Sequence, residues 1–258
     1  MALNLSNSTK AVLAATALLL SCPAAHADDV TDLLAAGDVF DLTFQASKAL
    51  ENYLPADKLD PKNVPLLVRI ARQYRHLMTD AETTKMKLKI GNLSLVYAKR
   101  AAALAPTDSE AQLSPAISYG KMLPLLSNRE QFDASPRIRE AAQKAIKLDP
   151  LNDTAWHVLG RWHQALANVS AVRRALGQLF YGKLPVTTNE EAIKCFDKAI
   201  TINPNRLRHY VELGRTYAQM GKNATARRFI EKGLAMPDLE KDDPDIKRLG
   251  RETLAKLP

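Results

Sequence analysis

Three arginines, Arg72, Arg161 and Arg215, occupy the same place in three similar stretches of the sequence, each two residues before an aromatic ring. A guanidinium group binds a carboxylate or a phosphate through two parallel hydrogen bonds. If the three stretches are neighbouring helices, the arginines predict a basic groove that holds an anionic partner. The alternative is a row of solvated side chains whose alkyl stems cover the helices beneath them, and the sequence leaves both interpretations open.

Three further residues lie close to these arginines at helical spacing. Arg69 and His157 precede Arg72 and Arg161 by one turn, and Arg208 stands near the start of the stretch that contains Arg215. The candidate partner-binding residues are therefore Arg69, Arg72, His157, Arg161, Arg208 and Arg215. For Arg69 and Arg208 we favour a purely structural role. The formal net charge of +8 suits an anionic partner without naming one.

Sequence signatures of enzymes are absent from the chain. It contains no H-E-x-x-H, G-x-S-x-G or G-x-G-x-x-G motif, and its histidines do not have the spacing of metal ligands. The two cysteines, Cys22 and Cys195, lie far apart and form neither a disulfide framework nor a zinc-ligand set. We expect a non-enzymatic protein without a cofactor or a metal. Nucleic acid is not an expected partner, since only the net charge favours it.

The arginines belong to a repeated helical pattern. Four prolines, Pro61, Pro106, Pro150 and Pro204, each follow an apolar helical run and have Asn or Asp nearby. This is typical of one helix ending and the next being capped. Six residues after each proline, a pattern of large, small and aromatic residues begins, although its second copy is degenerate. The pattern is that of the tetratricopeptide helix pair of about 34 residues. It predicts an all-α, tetratricopeptide-like α-solenoid of antiparallel helix pairs.

Each position of the repeat has a predicted packing role. Small residues let paired helices approach closely, and large residues fill the space between pairs. Ala56, Ala101, Ala145 and Ala199 each stand five residues before a proline of the repeat. The residues predicted to pack the repeats are Leu67, Ala71, Tyr74, Trp156, Gly160, Ala192, Phe196, Ala199, Tyr210, Gly214, Tyr217 and Ala226.

The repeats carry insertions, and the longest lies between His163 and Ala192. Apolar residues at helical spacing from Leu166 to Phe180 predict that the first helix of this pair is extended. Thr188 then opens a capping box for a second helix that begins at Glu190. An apolar wall of this kind is also what a domain that encloses a lipid would need.

Both ends of a solenoid need a cap, because the last helix pair has no neighbour to cover its apolar side. Asp243-Pro244 predicts an N-cap and a first-turn proline for a final helix. This helix is expected to close the C-terminal end. Residues 30–54 are expected to close the other end.

Residues 1–27 have the features of a secretory signal peptide. They contain no acidic residue, and an apolar run leads to the cleavage site Ala25-His26-Ala27. The apolar run is too short to cross a hydrocarbon core of ~30 Å as a helix. We therefore expect cleavage after Ala27, a single helical domain over 28–258, and an exported protein, periplasmic or secreted, of bacterial origin. A lipidated Cys22 is the alternative that we favour less, because Pro23 follows it directly.

Two blocks of sequence, Leu159-Gly160-Arg161-Trp162 and Pro185-x-Thr187-x-x-Glu190-Glu191-Ala192, carry a family resemblance. With Leu213-Gly214-Arg215-x-Tyr217, they make the chain similar to the regulator of microtubule dynamics family of tetratricopeptide proteins. The resemblance implies a compact domain without enzymatic activity that serves as an adaptor. Animal members are linked to microtubules, and one class to lipid exchange at membrane contacts. In this chain we expect an export signal in place of any anchoring helix.

The sequence supports three functions in descending order. The first is an exported tetratricopeptide binding or scaffold protein that holds an anionic peptide or protein partner in a basic concave groove. The second is a lipid- or apolar-ligand-binding domain, and the basic cluster Lys85-Met-Lys-Leu-Lys89 would suit an anionic lipid. The third is a microtubule-associated adaptor like the animal relatives.

Overall fold

The computed structural model describes residues 23–170, 174 and 185–258. Within these ranges the chain forms eleven α-helices and no β-strand, so the predicted all-α class is confirmed. The helices are α1 (Pro23–Asp41), α2 (Ala46–Leu59), α3 (Val64–Asp80), α4 (Thr84–Leu104), α5 (Ser109–Met122), α6 (Asn128–Leu148), α7 (Asp153–Ala167), α8 (Asn189–Ile202), α9 (Leu207–Gln219), α10 (Asn223–Leu234) and α11 (Asp243–Leu254).

Successive helices form antiparallel pairs that stack into a solenoid. The pairs are α1–α2, α3–α4, α5–α6, α7–α8 and α9–α10, and α11 packs against both helices of the last pair. First helices also contact one another, α3 with α5 and α5 with α7. The tetratricopeptide-like architecture predicted from the repeats is confirmed. The first helices, which carry the candidate arginines, lie side by side in it.

Residues after three of the four prolines cap the next helix. Asn63, Asp108 and Asn152 each accept the backbone N–H of the residue three positions later, which satisfies a donor that the helix leaves unpaired. The fourth repeat differs from this expectation. Helix α9 has Arg206 at its N-cap position, and no side chain caps it.

Glycines mark the tightest contacts between paired helices. A Cβ atom at Gly160 would lie 2.9 Å from the Phe196 ring, and one at Gly214 would lie 2.6 Å from Ile230. The second position is the stricter, since the backbone oxygen of Ala226 would also lie 2.9 Å away and cannot turn aside. A side chain at Gly214 would therefore force the two helices of the last pair apart.

Most of the residues predicted to pack the repeats are buried in the core. The alanines that precede the prolines (Ala56, Ala101, Ala145 and Ala199) are fully buried, as are Leu67, Ala71, Ala192, Phe196 and Ala226. Trp162 is 7% exposed. Trp156 is only half-buried, because its ring lies at the edge of the core and donates Nε1–H to the backbone oxygen of Pro150.

The insertion differs from its predicted form. Helix α7 ends at Ala167, so the expected extension of this helix towards Phe180 is wrong. Asn168, with its backbone in a non-helical conformation, terminates it. Val172, Leu176, Leu179 and Phe180 lie outside the described residues. Thr188 caps α8 as predicted, but only half of the capping box forms, since the Glu191 carboxylate binds Lys194.

The C-terminal helix α11 packs on the last pair as predicted, but its N-cap residue is Asp242, one position earlier than expected. The Asp243 carboxylate accepts the backbone N–H groups of Leu239 and Glu240 instead. At the other end α1 begins at Pro23 and packs on α2, and residues 1–22 lie outside the described ranges. No helix in the described part of the chain is long and apolar enough to cross a membrane.

Candidate binding site

Arg161 of α7 and Arg215 of α9 meet at one carboxylate, that of Glu212. The Glu212 side chain is 1% exposed; its Oε1 lies 2.7 Å from Nη1 of Arg215, and its Oε2 contacts Nη1 of Arg161. Burial alone would raise the pKa of Glu212, but the two guanidinium groups outweigh it and hold this pKa below its usual value. We call these three residues the arginine cluster. Because two cations share one anion, the cluster keeps one net positive charge.

Hydrogen bonds of the Gln164 amide hold the arginine cluster in place. Nε2 of Gln164 donates to the backbone oxygen of Glu212 at 3.1 Å and to Thr216 Oγ1 at 3.0 Å, while Oε1 of Gln164 accepts from Arg161. These bonds join α7 to α9 and orient the guanidinium of Arg161. The Arg161 side chain nevertheless remains 43% exposed. Part of it is therefore available to a partner.

The candidate arginines of α3 are paired with acids of α1. Arg72 contacts Asp41, and Nε of Arg69 lies 3.1 Å from Oδ1 of Asp38. Asp38 also accepts the hydroxyl hydrogen of Tyr53 at 2.5 Å. The Arg72 side chain is 46% exposed and that of Arg69 33%. Both arginines line a recess of about 240 Å³ whose other walls are Val64, Pro65, Val68, Asp108 and Glu110.

His157 lies in the core and not on the exposed face, which corrects its predicted position. It is 8% exposed, and its Nδ1 is 3.0 Å from Nδ1 of His209, whose Nε2 is 2.9 Å from the carboxylate of Asp153. If Asp153 accepts the Nε2–H of His209, Nδ1 of His209 is free to accept the Nδ1–H of His157. We call this the histidine chain. Burial lowers the pKa of both histidines, and that of His157 lies well below its usual value.

Arg208 is paired with a residue far along the chain. It contacts the carboxylate of Glu240, whose other oxygen lies 3.2 Å from Nε of Arg206. Nη1 of Arg206 in turn lies 3.3 Å from Asp153. Arg208 thus belongs to an ion-pair network that connects the start of α9 to the segment before α11.

Two cations of this region were missed by sequence reasoning, Arg75 and Lys121. Arg75 is 7% exposed and donates to Ser118 Oγ at 3.2 Å; burial, assisted by the charges of Arg72 and Arg208, lowers the pKa of Arg75 to about 10. Lys121 binds Asp242. Both stand one turn after the position at which the repeats carry arginine, and that spacing was the signal available in the sequence.

The described residues form neither a metal site nor a reactive thiol. No group of three or more His, Cys, Asp or Glu side chains in the described ranges is placed to hold a metal ion. Cys195 is 5% exposed, and burial raises the pKa of its thiol to about 12. This residue is therefore an inert core side chain, since the thiolate is the reactive form.

Stacked antiparallel helix pairs with tight glycine contacts, and first helices that lie side by side, define a tetratricopeptide-repeat protein. A solved structure of a thermophilic TPR protein from Thermus thermophilus is similar with a TM-score of 0.63 and 16% identity, covering 88% of this chain and 99% of that chain. PilF of Pseudomonas aeruginosa has a TM-score of 0.54 and 12% identity, with 90% of each chain covered. At these identities the likeness shows the fold.

Within this class the chain belongs to the family described as regulator of microtubule dynamics protein 1-3, which matches residues 33–258. Regulator of microtubule dynamics protein 1 of Mus musculus is 27% identical over 194 residues, 74% of this chain and 64% of the relative. Regulator of microtubule dynamics protein 2 of Macaca fascicularis is 24% identical over 199 residues, 75% of this chain and 48% of the relative. The chain thus spans between about half and two thirds of the length of these relatives.

Proposed function

We propose that this protein is a non-enzymatic binding scaffold that holds an acidic peptide or protein segment against the arginines of its first helices. We call this surface the arginine face; it consists of Arg69, Arg72, Arg161, Arg208 and Arg215. The observation that carries the proposal is the arginine cluster, in which two guanidinium groups share one buried carboxylate and Arg161 stays 43% exposed.

The buried carboxylate of Glu212 orients two arginines of this surface before a partner binds. Without Glu212, the guanidinium groups of Arg161 and Arg215 would repel each other and separate, and a ligand would have to bring them back together. With Glu212 in place they are already oriented, so binding loses little side-chain entropy. A hydrogen bond between charged groups contributes about 1.5–3 kcal/mol. One additional carboxylate from a partner can form such bonds with the exposed edge of Arg161.

The names of the relatives refer to microtubules, but we do not propose microtubules as the partner of this chain. We propose that residues 1–27 direct export and that the domain acts outside the cytoplasm, where microtubules are absent. An acidic protein segment is then the partner class that suits the arginine face. The family and the fold are typical of scaffolds without enzymatic activity.

The proposal is tested with a fluorescent peptide of about ten residues that contains Glu and Gly. The variant Arg161→Met/Glu212→Gln/Arg215→Met removes the arginine cluster without leaving a buried charge, and it changes the net charge by −1. Lys144→Met, on the exposed surface of α6, is the control with the same charge change. Anisotropy titrations should show about tenfold weaker binding for the triple variant alone. Equal affinities for the triple variant and the control would disprove the proposal.

A second candidate function, contact with an anionic membrane surface, is favoured by helix α4. This 21-residue helix contains no acidic residue, and it exposes Met86, Leu93 and Val96 along one stripe with Lys85 and Lys89 beside it. Apolar and basic side chains on one helix face are typical of helices that lie on membranes. Flotation with phosphatidylglycerol vesicles tests this function, and Lys85→Gln/Lys89→Gln should abolish flotation. Unchanged flotation of that variant would exclude α4 as the contact.

A further inference from the structure

The segment between α10 and α11 reaches across the solenoid to helices far away in sequence. Asp242 accepts hydrogen bonds from Thr79 Oγ1 at 2.9 Å and from Lys121 Nζ at 2.6 Å. Nζ of Lys241 lies 2.8 Å from Asp80. These partners stand at the ends of α3 and α5, more than a hundred residues earlier in the chain. We call residues 238–242 the acidic strap.

The strap presents two carboxylates, two residues apart, to a group of cations. Asp242 binds Lys121, and Glu240 binds both Arg206 and Arg208. Arg75 lies close enough for the charge of Asp242 to affect its pKa. Four cations therefore surround the two strap carboxylates, while Asp153 pairs with Arg206, and Asp243 lies close enough to Arg208 to affect its pKa. When Glu240 and Asp242 leave, four cations face only these two remaining carboxylates, so this place suits an acidic segment.

Charge, and not apolar packing, holds the strap in this position. Leu239, its only large apolar side chain, is 57% exposed. Ion pairs with partly exposed partners are weak individually and are screened by salt. A competing acidic segment therefore has no apolar contact to break. The backbone N–H groups of Leu239 and Glu240 each donate to the Asp243 carboxylate at 2.8 Å, and these bonds give the strap a local turn.

We propose that the acidic strap occupies one end of the arginine face in the free protein, and that an acidic protein segment with two carboxylates two residues apart binds there by displacing it. This inference rests on the proposed function and specifies its partner. The strap itself has this spacing, because its two carboxylates belong to Glu240 and Asp242 in a Glu-x-Asp sequence. Arg208 is the residue that the arginine face and the strap site share.

The test uses a fluorescent peptide with the sequence of residues 236–243, added to the full chain. In the variant Glu240→Gln/Asp242→Asn the strap has lost the two carboxylates that bind Lys121, Arg206 and Arg208. Glu51→Gln/Glu231→Gln changes the net charge equally on exposed parts of α2 and α10. The strap variant should bind the peptide about tenfold more tightly than the unaltered chain or the control. A peptide with Gln at the position of Glu240 and Asn at that of Asp242 should not bind to any of them.

Hydrogen exchange in the unaltered chain provides a readout that does not depend on the variant folding. When the Glu- and Gly-containing peptide of the previous section is added to saturation, the amides of Leu239 and Glu240 should exchange faster, because a strap without its ion pairs no longer keeps the turn in which these amides bind Asp243. Bound peptide with unchanged exchange, or equal peptide affinity of all three chains, would overturn the displacement and leave the proposed function standing. If no acidic peptide binds to any of the chains, both proposals fail.

Discussion

The arginine cluster and the histidine chain join the same two helices, α7 and α9, and their α7 residues lie one turn apart. Arg161 is 43% exposed and charged, whereas His157 is 8% exposed, and burial holds its pKa far below the usual value. Sequence register placed both residues on one binding surface. The comparison shows that depth below the surface, which the register does not report, decides whether a basic side chain is accessible to a partner.

Removing a member of the histidine chain should have the largest effect on stability. His209 is completely buried and bonded on both ring nitrogens. The substitution His209→Ala creates a cavity and leaves His157 and Asp153 without their partner, so it should lower the free energy of unfolding by about 3 kcal/mol. Urea denaturation measures this change. A loss below about 1 kcal/mol would mean that the chain of hydrogen bonds contributes little.

The two regions should respond to acid in different pH ranges. Because the folded-state pKa values of His157 and His209 are lowered, the unfolded chain binds more protons below pH 6.5. The free energy of unfolding should therefore fall as the pH falls below 6.5, by up to about 1.4 kcal/mol per pH unit for each histidine, until the folded pKa is passed. Glu212, whose pKa is also lowered, adds a loss only as the pH falls below 4.5.

Denaturation at pH 7, 6 and 5 measures the first of these losses. In the variant His157→Gln/His209→Gln the slope between pH 6.5 and 5 should become smaller. His76, whose pKa burial lowers to about 4, contributes to the same range, and the matched control His76→Gln should retain most of the slope. An unchanged slope in the double variant would place the acid sensitivity elsewhere in the chain.

Gln73 provides a contrast to the histidine chain, because its buried side-chain amide forms no hydrogen bond with the described residues. Gln73 is completely buried, and neither its amide nitrogen nor its amide oxygen has a hydrogen-bond partner among the described residues. Replacement by leucine, which has a similar size, removes the cost of the unpaired groups. Gln73→Leu should raise the free energy of unfolding by about 1 kcal/mol, measured by thermal denaturation. Destabilisation would show that the amide contributes to the fold.

The smallest effect is expected at the exposed member of the arginine cluster. Arg161→Met should lower the free energy of unfolding by no more than about 1 kcal/mol, because the buried Oε2 of Glu212 loses its contact but Arg215 still neutralises the carboxylate. Urea denaturation alongside His209→Ala gives the direct comparison. Equal losses for the two variants would contradict the distinction between a binding surface and a buried structural chain.

Local features of the fold were predictable because they depend on residues close together in the chain. Asn63, Asp108 and Asn152 cap helices that begin immediately after them. Gly160 recurs in the repeat register at a point where the paired helix passes. The predicted extension of α7 was wrong because apolar spacing alone does not show where a helix ends, and Asn168 ends it at Ala167.

The sequence by itself determined the repeat, the helix class, the packing positions and the register of the arginines, since each follows from spacing along one or two helices. Only the tertiary structure decided what these arginines contact. Asp41 and Glu212 contact arginines of the neighbouring first helix in the stack. Glu240 and Asp242 contact Arg208 and Lys121 because the segment before α11 lies against other helices. Ion pairs depend on distances of a few ångströms in space, and no spacing in the sequence records distances between helices a hundred residues apart.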